Sequence, residues 1–76
     1  MLSMTPFDRI TFDPAIQGGK ACIRGMRIPV FVIVSQIASG ASVDEVLRAY
    51  PDLDREDVRQ ALEYAAWLTS DDVHFG

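Results

Sequence analysis

The sequence predicts a mostly α-helical domain: a short N-terminal β-hairpin leading into three helices of helix-turn-helix type. Three observations carry that prediction. Residues 9–24 alternate and turn as a hairpin does, with Gly18-Gly19 between two short β-favouring stretches. Apolar residues then recur at helical spacing behind Pro29. Finally, two amphipathic stretches each begin with a side-chain cap and are separated by Tyr50-Pro51-Asp52-Leu53-Asp54.

Arg9-Ile10-Thr11-Phe12 alternates polar and apolar, so Ile10 and Phe12 face inward on a first strand. Asp13-Pro14 ends it. Gln17-Gly18-Gly19-Lys20 is a turn in which glycine takes positive φ without steric cost. Ala21-Cys22-Ile23-Arg24 forms a second strand, and Gly25 opens a further turn; the hairpin occupies about residues 9–28. Pro29 suits a helix start, where its missing N–H costs nothing. Val30, Ile33, Val34 and Ile37 give a first helix over about 30–39. Its β-branched content makes it intrinsically poor, so packing must hold it and it should be central. Gly40 is placed to end it.

Ser42 and Glu45 have capping-box spacing. Val43, Val46, Leu47 and Tyr50 follow as one face of a second helix over about 43–50, stopped by Pro51. Asp54 caps the third, over about 55–69, and Asp54, Glu56 and Asp57 suit the positive end of its dipole. Its apolar stripe is Val58, Ala61, Leu62, Ala65 and Leu68. Residues 70–76 have no periodicity and read as a flexible tail. The whole chain, 1–76, reads as one domain.

A 76-residue chain buries only about 60% of the surface it exposes unfolded. Its 49% hydrophobic content exceeds what a disordered protein carries and favours a homodimer or a partner. One cysteine, Cys22, forms no internal disulfide and fits a reducing compartment. The opening residues lack the charged and apolar regions of a signal peptide, and the longest apolar run, 28–34, is too short to span a bilayer. The protein should be cytoplasmic, with no membrane partner. Net charge is −4, but it is distributed unevenly. Residues 14–43 hold no acid, only Lys20, Arg24 and Arg27. From Ala41 onward, nine acids face three arginines.

Enzyme chemistry is disfavoured. The lone His74 sits in the tail and Cys22 in the hairpin, so no acid–base pair or metal site assembles, and Cys22 reads as a small buried hydrophobe. Gly18-Gly19-Lys20 lacks phosphate-loop spacing, and no cofactor is implied. Lys20, Arg24 and Arg27 fall within eight residues with no local acid to pair them. They read either as a solvated hairpin edge or as an anion site for DNA phosphates or an acidic partner. In a helix-turn-helix the exposed Arg55, Arg59 and Gln60 of the third helix would read base edges, although flanking carboxylates would repel phosphates. Trp67 lies opposite Val58 on that helix, beside Tyr64. The pair reads as a dimer contact, unless the hairpin or tail folds over it.

Gly18-Gly19-Lys20-Ala21-Cys22-Ile23-Arg24-Gly25-Met26-Arg27-Ile28-Pro29-Val30 resembles the GGKPCIRGTRIPV signature of domain-of-unknown-function family 433. Ile10 with Asp13-Pro14 also matches. So do Gly40-x-Ser42-x-Asp44-Glu45 and Tyr50-Pro51-Asp52-Leu53-x-x-Glu56-Asp57-Val58, leading into Ala61-Leu62-x-Tyr64-Ala65. The resemblance spans roughly residues 8–69. It implies a winged or homeodomain-like helix-turn-helix fold and, from members encoded beside a PIN-like ribonuclease toxin, an antitoxin role. Two departures stand out: Ala21 replaces the usual proline, and Met26 the usual threonine. The leading expectation is therefore an antitoxin-like homodimer binding a PIN-like toxin and its own operator DNA. The alternative is a helix-turn-helix transcriptional regulator without a toxin.

Overall fold

The hairpin is built from two three-residue strands, β1 (Ile10–Phe12) and β2 (Ala21–Ile23), paired antiparallel. Ile10 lies opposite Ile23, Thr11 opposite Cys22 and Phe12 opposite Ala21. In this computed structural model, which describes residues 7–69, three helices follow. They are α1 (Val30–Ala38), α2 (Val43–Ala49) and α3 (Arg55–Leu68). The tail over 70–76, with His74, and the opening six residues lie outside the described residues.

Each helix begins and ends for a local reason. Pro29 is the N-cap of α1, directly ahead of Val30 where the helix was expected to start, and it also bridges Cys22 of β2. The far end of α1 closes in a Schellman arrangement. The Gly40 N–H donates to the Ile37 carbonyl at 3.0 Å and the Ala41 N–H to that of Gln36 at 2.9 Å. Gly40 sits at φ +106°, where a side chain would be strained. The Ser42–Glu45 capping box forms in both directions, at 3.1 and 2.7 Å. At α3 both halves of the box are acids: the Asp57 N–H donates to Asp54 Oδ1 and the Asp54 N–H to Asp57 Oδ2, each at 2.9 Å.

The core lies where the hairpin meets the helices. Ile10 and Ile23, paired across the hairpin, pack with Ile33 of α1, Val46 of α2, and Val58 and Ala61 of α3. All six are essentially inaccessible. Cys22 is buried beside them as a small hydrophobe, and burial pushes its thiol pKa up against the opposing pull of Arg27 and Lys20. The buried face of α3 is rotated from the expected stripe: Val58 and Ala61 are in the core, whereas Leu68 is exposed and Asp57, Gln60 and Tyr64 are buried. Polar groups enter a core when partners satisfy them, which apolar periodicity does not register.

This division between core and cap is measurable. Ile33→Ala should cost about 2–4 kcal/mol by opening a cavity between α1 and its neighbours. Ser42→Ala should cost about 1 kcal/mol through loss of one cap. Urea titration followed by far-ultraviolet circular dichroism reads both; equal, small losses would place Ile33 outside the core.

Candidate functional site

The main electrostatic feature joins three distant segments. Asp57, in the first turn of α3, has a fully inaccessible side chain. Its Oδ1 accepts from Arg9 Nη1 at 2.9 Å and from Arg24 Nε at 3.0 Å. Its Oδ2 accepts from Arg24 Nη2 at 2.8 Å and from the Asp54 N–H at 2.9 Å. A carboxylate offers about four acceptor sites, so this one is saturated. Arg24 presents its guanidinium fork side-on, the geometry that suits arginine and not lysine. The same Arg24 Nη2 reaches the Asp52 carbonyl at 2.8 Å, and Arg9 Nη1 also holds Asp54 Oδ1 at 2.6 Å.

The hairpin is shaped to deliver these arginines. Arg9 immediately precedes β1, and its carbonyl accepts the Arg24 N–H at 2.8 Å. Arg24 itself takes φ +46°, a left-handed conformation unusual for a residue with a Cβ, followed by Gly25 at φ +74°. The turn closes with the Met26 N–H on the Ile23 carbonyl at 2.7 Å, and Thr11 Oγ1 accepts the Gly25 N–H at 2.8 Å. The strained backbone thus turns Arg24 inward onto α3. Burial alone would push the Asp57 carboxyl upward in pKa. The hydrogen bonds from Arg24, the Asp54 amide and Arg9 outweigh it and hold the group at about 2.

Gln60 extends the cluster one turn along α3. It is buried; its Oε1 accepts the Arg9 N–H at 3.1 Å, and its Nε2 donates to Asp8 Oδ1 at 2.8 Å and Glu56 Oε2 at 3.2 Å. The expected base-edge reader is therefore a brace for the hairpin. Arg59 grips Glu56 at 2.6 and 2.9 Å and Glu63 at 3.0 Å, while Arg55 pairs with Asp44 of α2. These pairs are solvent-exposed and contribute little stability. They nevertheless occupy every cation expected to enter a DNA groove from α3. Among the described residues, no group of three or more His, Cys, Asp or Glu side chains is placed to hold a metal ion, and no helix is long and apolar enough to cross a membrane.

Residues 10–65, from β1 into α3, match the family described as "Protein of unknown function (DUF433)". The chain belongs to the DUF433 family. Over 56 residues it is 43% identical to the uncharacterized protein y4eO of Sinorhizobium fredii, covering 74% of this chain and 25% of that protein. The crystal structure of a DUF433 member from Anabaena variabilis superimposes with a TM-score of 0.74 at 35% identity, covering 86% of this chain and 63% of that one. The chain thus spans about a quarter of the length of y4eO and somewhat under two thirds of the Anabaena protein.

Within this DUF433 region the three hairpin cations have different environments. Arg24 is engaged by Asp57 through Nε and Nη2, while its side chain stays 42% exposed. Lys20 Nζ sits 5.4 Å from the Phe31 ring centroid, a cation–π distance. Arg27 is exposed and has no carboxylate partner among the described residues. Met26, the departure from the signature, packs half-buried against the core. The aromatic pair expected at a dimer contact stays together, with ring centroids 6.0 Å apart, but its two members differ in exposure. Tyr64 is buried within its own chain, edge-on to Phe7 at 5.7 Å and Phe12 at 6.0 Å, and Trp67 remains 49% exposed beside Phe7. Phe12 of the hairpin covers Tyr64, as the alternative reading had it, and Phe7, ahead of the hairpin, does so as well.

Asp57 keeps its charge in the folded chain down to about pH 2, whereas the unperturbed carboxyl titrates near 3.8. Glu56, held by Arg59 and Gln60, shifts likewise from 4.5 to about 2, although its exposure leaves it a small share beside Asp57. Their contributions are complete above the unfolded values and are lost as pH falls through the folded ones. Wild-type stability should therefore decline between about pH 4.5 and pH 2. Asp57→Asn should lose on the order of 3 kcal/mol at neutral pH, the lower end for a broken buried pair because both arginines keep some access to water. Its acid decline should be shallower. Urea midpoints across pH check both; a variant as stable as wild type at pH 7 would show the carboxylate to be dispensable.

Proposed function

We propose that the protein is a non-catalytic, antitoxin-like binding module whose hairpin offers Lys20 and Arg27 to an anionic partner. The observation that carries this reading is the distribution of cations left over after internal pairing. Arg9, Arg24, Arg55 and Arg59 are engaged by carboxylates. Arg48 sits in the last turn of α2, where a positive charge complements the helix dipole. Lys20 and Arg27 remain, both exposed on an acid-free stretch and both close enough to Cys22 to act on its thiol. In a protein of net charge −4, two such groups on one hairpin are better suited to a carboxylate-lined cleft than to solvent alone.

The partner we favour is a PIN-like ribonuclease toxin, whose metal-binding carboxylates a guanidinium can engage. Operator DNA is the second ligand. A helix-turn-helix regulator without a toxin is the competing reading, supported by the α2–turn–α3 arrangement. It is weakened by the internal engagement of Arg55, Arg59 and Gln60. We place the protein in the cytoplasm on the same reading.

The Lys20→Ala/Arg27→Ala double variant should keep the wild-type melting temperature. It should lose on the order of 3 kcal/mol in binding the protein encoded beside it, two charge-assisted contacts being removed. Arg24→Ala should lower the melting temperature instead. Binding to promoter DNA, where present, should weaken steeply with salt, and binding in a protein cleft more shallowly. Calorimetric titration of both ligands against both variants separates the cases. Wild-type affinity for both ligands in the double variant would reduce the hairpin to a structural edge.

A further inference from the structure

The carboxylate cluster leaves an apolar feature of the described surface unused, and of the two hairpin cations only Lys20 touches it, over the Phe31 ring. Between α1 and the C-terminal half of α3 lies a groove of about 440 Å³. Val30, Val34, Tyr64 and Ala65 line it, and Phe31 and Leu68 form its walls. These two wall residues are 58% and 60% exposed, and Trp67, next to Leu68, is 49% exposed. They are the large exposed hydrophobics among the described residues. Together they present on the order of 300 Å² of apolar surface, at the size where a patch on a small monomer marks a contact site.

Charge selects the occupant. The protein carries a net charge of −4, so two copies repel in most orientations. This face is the exception. α1 has no charged residue, and the groove-lining positions of α3 are Tyr64, Ala65 and Leu68. The one charged lining residue is Lys20, at the rim. The face also carries projecting side chains and a hollow together, as an isologous contact about a two-fold axis requires.

We propose that this groove is a self-association face: a second copy docks on it, each copy's Phe31 and Leu68 entering the hollow of the other. The contact keeps Trp67 at its edge and Tyr64 as the groove floor, but its projecting residues are Phe31 and Leu68, because Tyr64 is packed into its own core. The exposed apolar residues of two copies supply about 600 Å², and the rim around the groove must supply the rest of the roughly 1,000 Å² that a specific interface needs, so the dimer is a weak one, dissociating at about micromolar concentration or above. Lys20 belongs to both this face and the proposed partner surface, whereas Arg27 is not among the lining residues, so partner binding lost in Arg27→Ala with dimerisation intact distinguishes the two readings.

Sedimentation equilibrium of the full chain from about 5 to about 200 μM tests it, with the range chosen to bracket micromolar dissociation. Wild type should pass from monomer toward dimer across that range. Leu68→Glu and Phe31→Glu, both at exposed positions, should each weaken the dimer at least tenfold with unchanged circular dichroism and melting temperature. Trp67 emission should shift to the blue with concentration in wild type alone. A wild type that stays monomeric throughout overturns the proposal. If these substitutions then destabilise the monomer, the chain's own segments cover the groove. A dimer that persists unchanged in both variants overturns it equally and places the contact elsewhere. Loss of partner binding in the Arg27→Ala variant with dimerisation intact would show the two contacts to be separable.

Discussion

A carboxylate held out of water sets the terms for this fold. An isolated buried charge is prohibitively costly, so Asp57 can occupy its position only with compensating partners in place. Those partners come from three places: Arg9 before β1, Arg24 after β2, and the backbone of Asp54 at the start of α3. None of them is near Asp57 in sequence except the cap. The hairpin cannot slide or rotate on α3 without leaving a buried negative charge uncompensated. That requirement specifies one docking geometry more sharply than the apolar core, where several packings of isoleucine and valine are nearly equivalent. The left-handed backbone at Arg24 is consistent with this. It is a local cost, tolerated because it aims the guanidinium at the carboxylate.

The same constraint explains which parts of the structure were legible in the sequence. Helix starts and stops were legible because their causes lie within four residues: Ser42 with Glu45, Asp54 at the head of α3, Gly40 behind α1. The hairpin was legible from its alternation and its glycines. The cluster was not, because its pairs join residues separated by 33 and 48 positions. Arg24 and Arg27 look alike in sequence and lie three residues apart. One turns inward and one outward, and the difference rests on the sign of φ at Arg24. A partial signal did exist. Asp57 shares a helix face with Ala61 and Tyr64, so a wheel that admitted partnered acids would have placed it at the core boundary. Ranking positions by apolarity alone hid Asp57 and Gln60 and favoured Leu68, which is exposed.

Internal pairing also determines what the surface has left to offer. The acidic half of the chain is not a bare negative field. Arg55 and Arg59 are spent on its carboxylates, Glu56 and Glu63 of α3 and Asp44 of α2. A face already neutralised in this way has little to give a phosphate backbone. Positive charge without a carboxylate partner lies mainly on the hairpin, beside an apolar groove. The molecule is therefore divided: a self-satisfied polar face on α2 and α3, and an unsatisfied cationic and apolar face on the hairpin and α1.

That division follows from size. A helix such as α1, nearly all apolar, would be enclosed in a larger domain. Here the hairpin, α2 and α3 cover only one side of it: Val30 and Ile33 are buried while Phe31 stands in solvent. With so few elements, burying the carboxylate cluster commits the hairpin to the N-terminal end of α3. The hairpin is then unavailable to cover the C-terminal end, where Leu68 and Trp67 project. The electrostatic lock and the open groove are thus two results of one allocation of a short chain. The free surface is apolar because the polar contacts have been used to hold the hairpin in place.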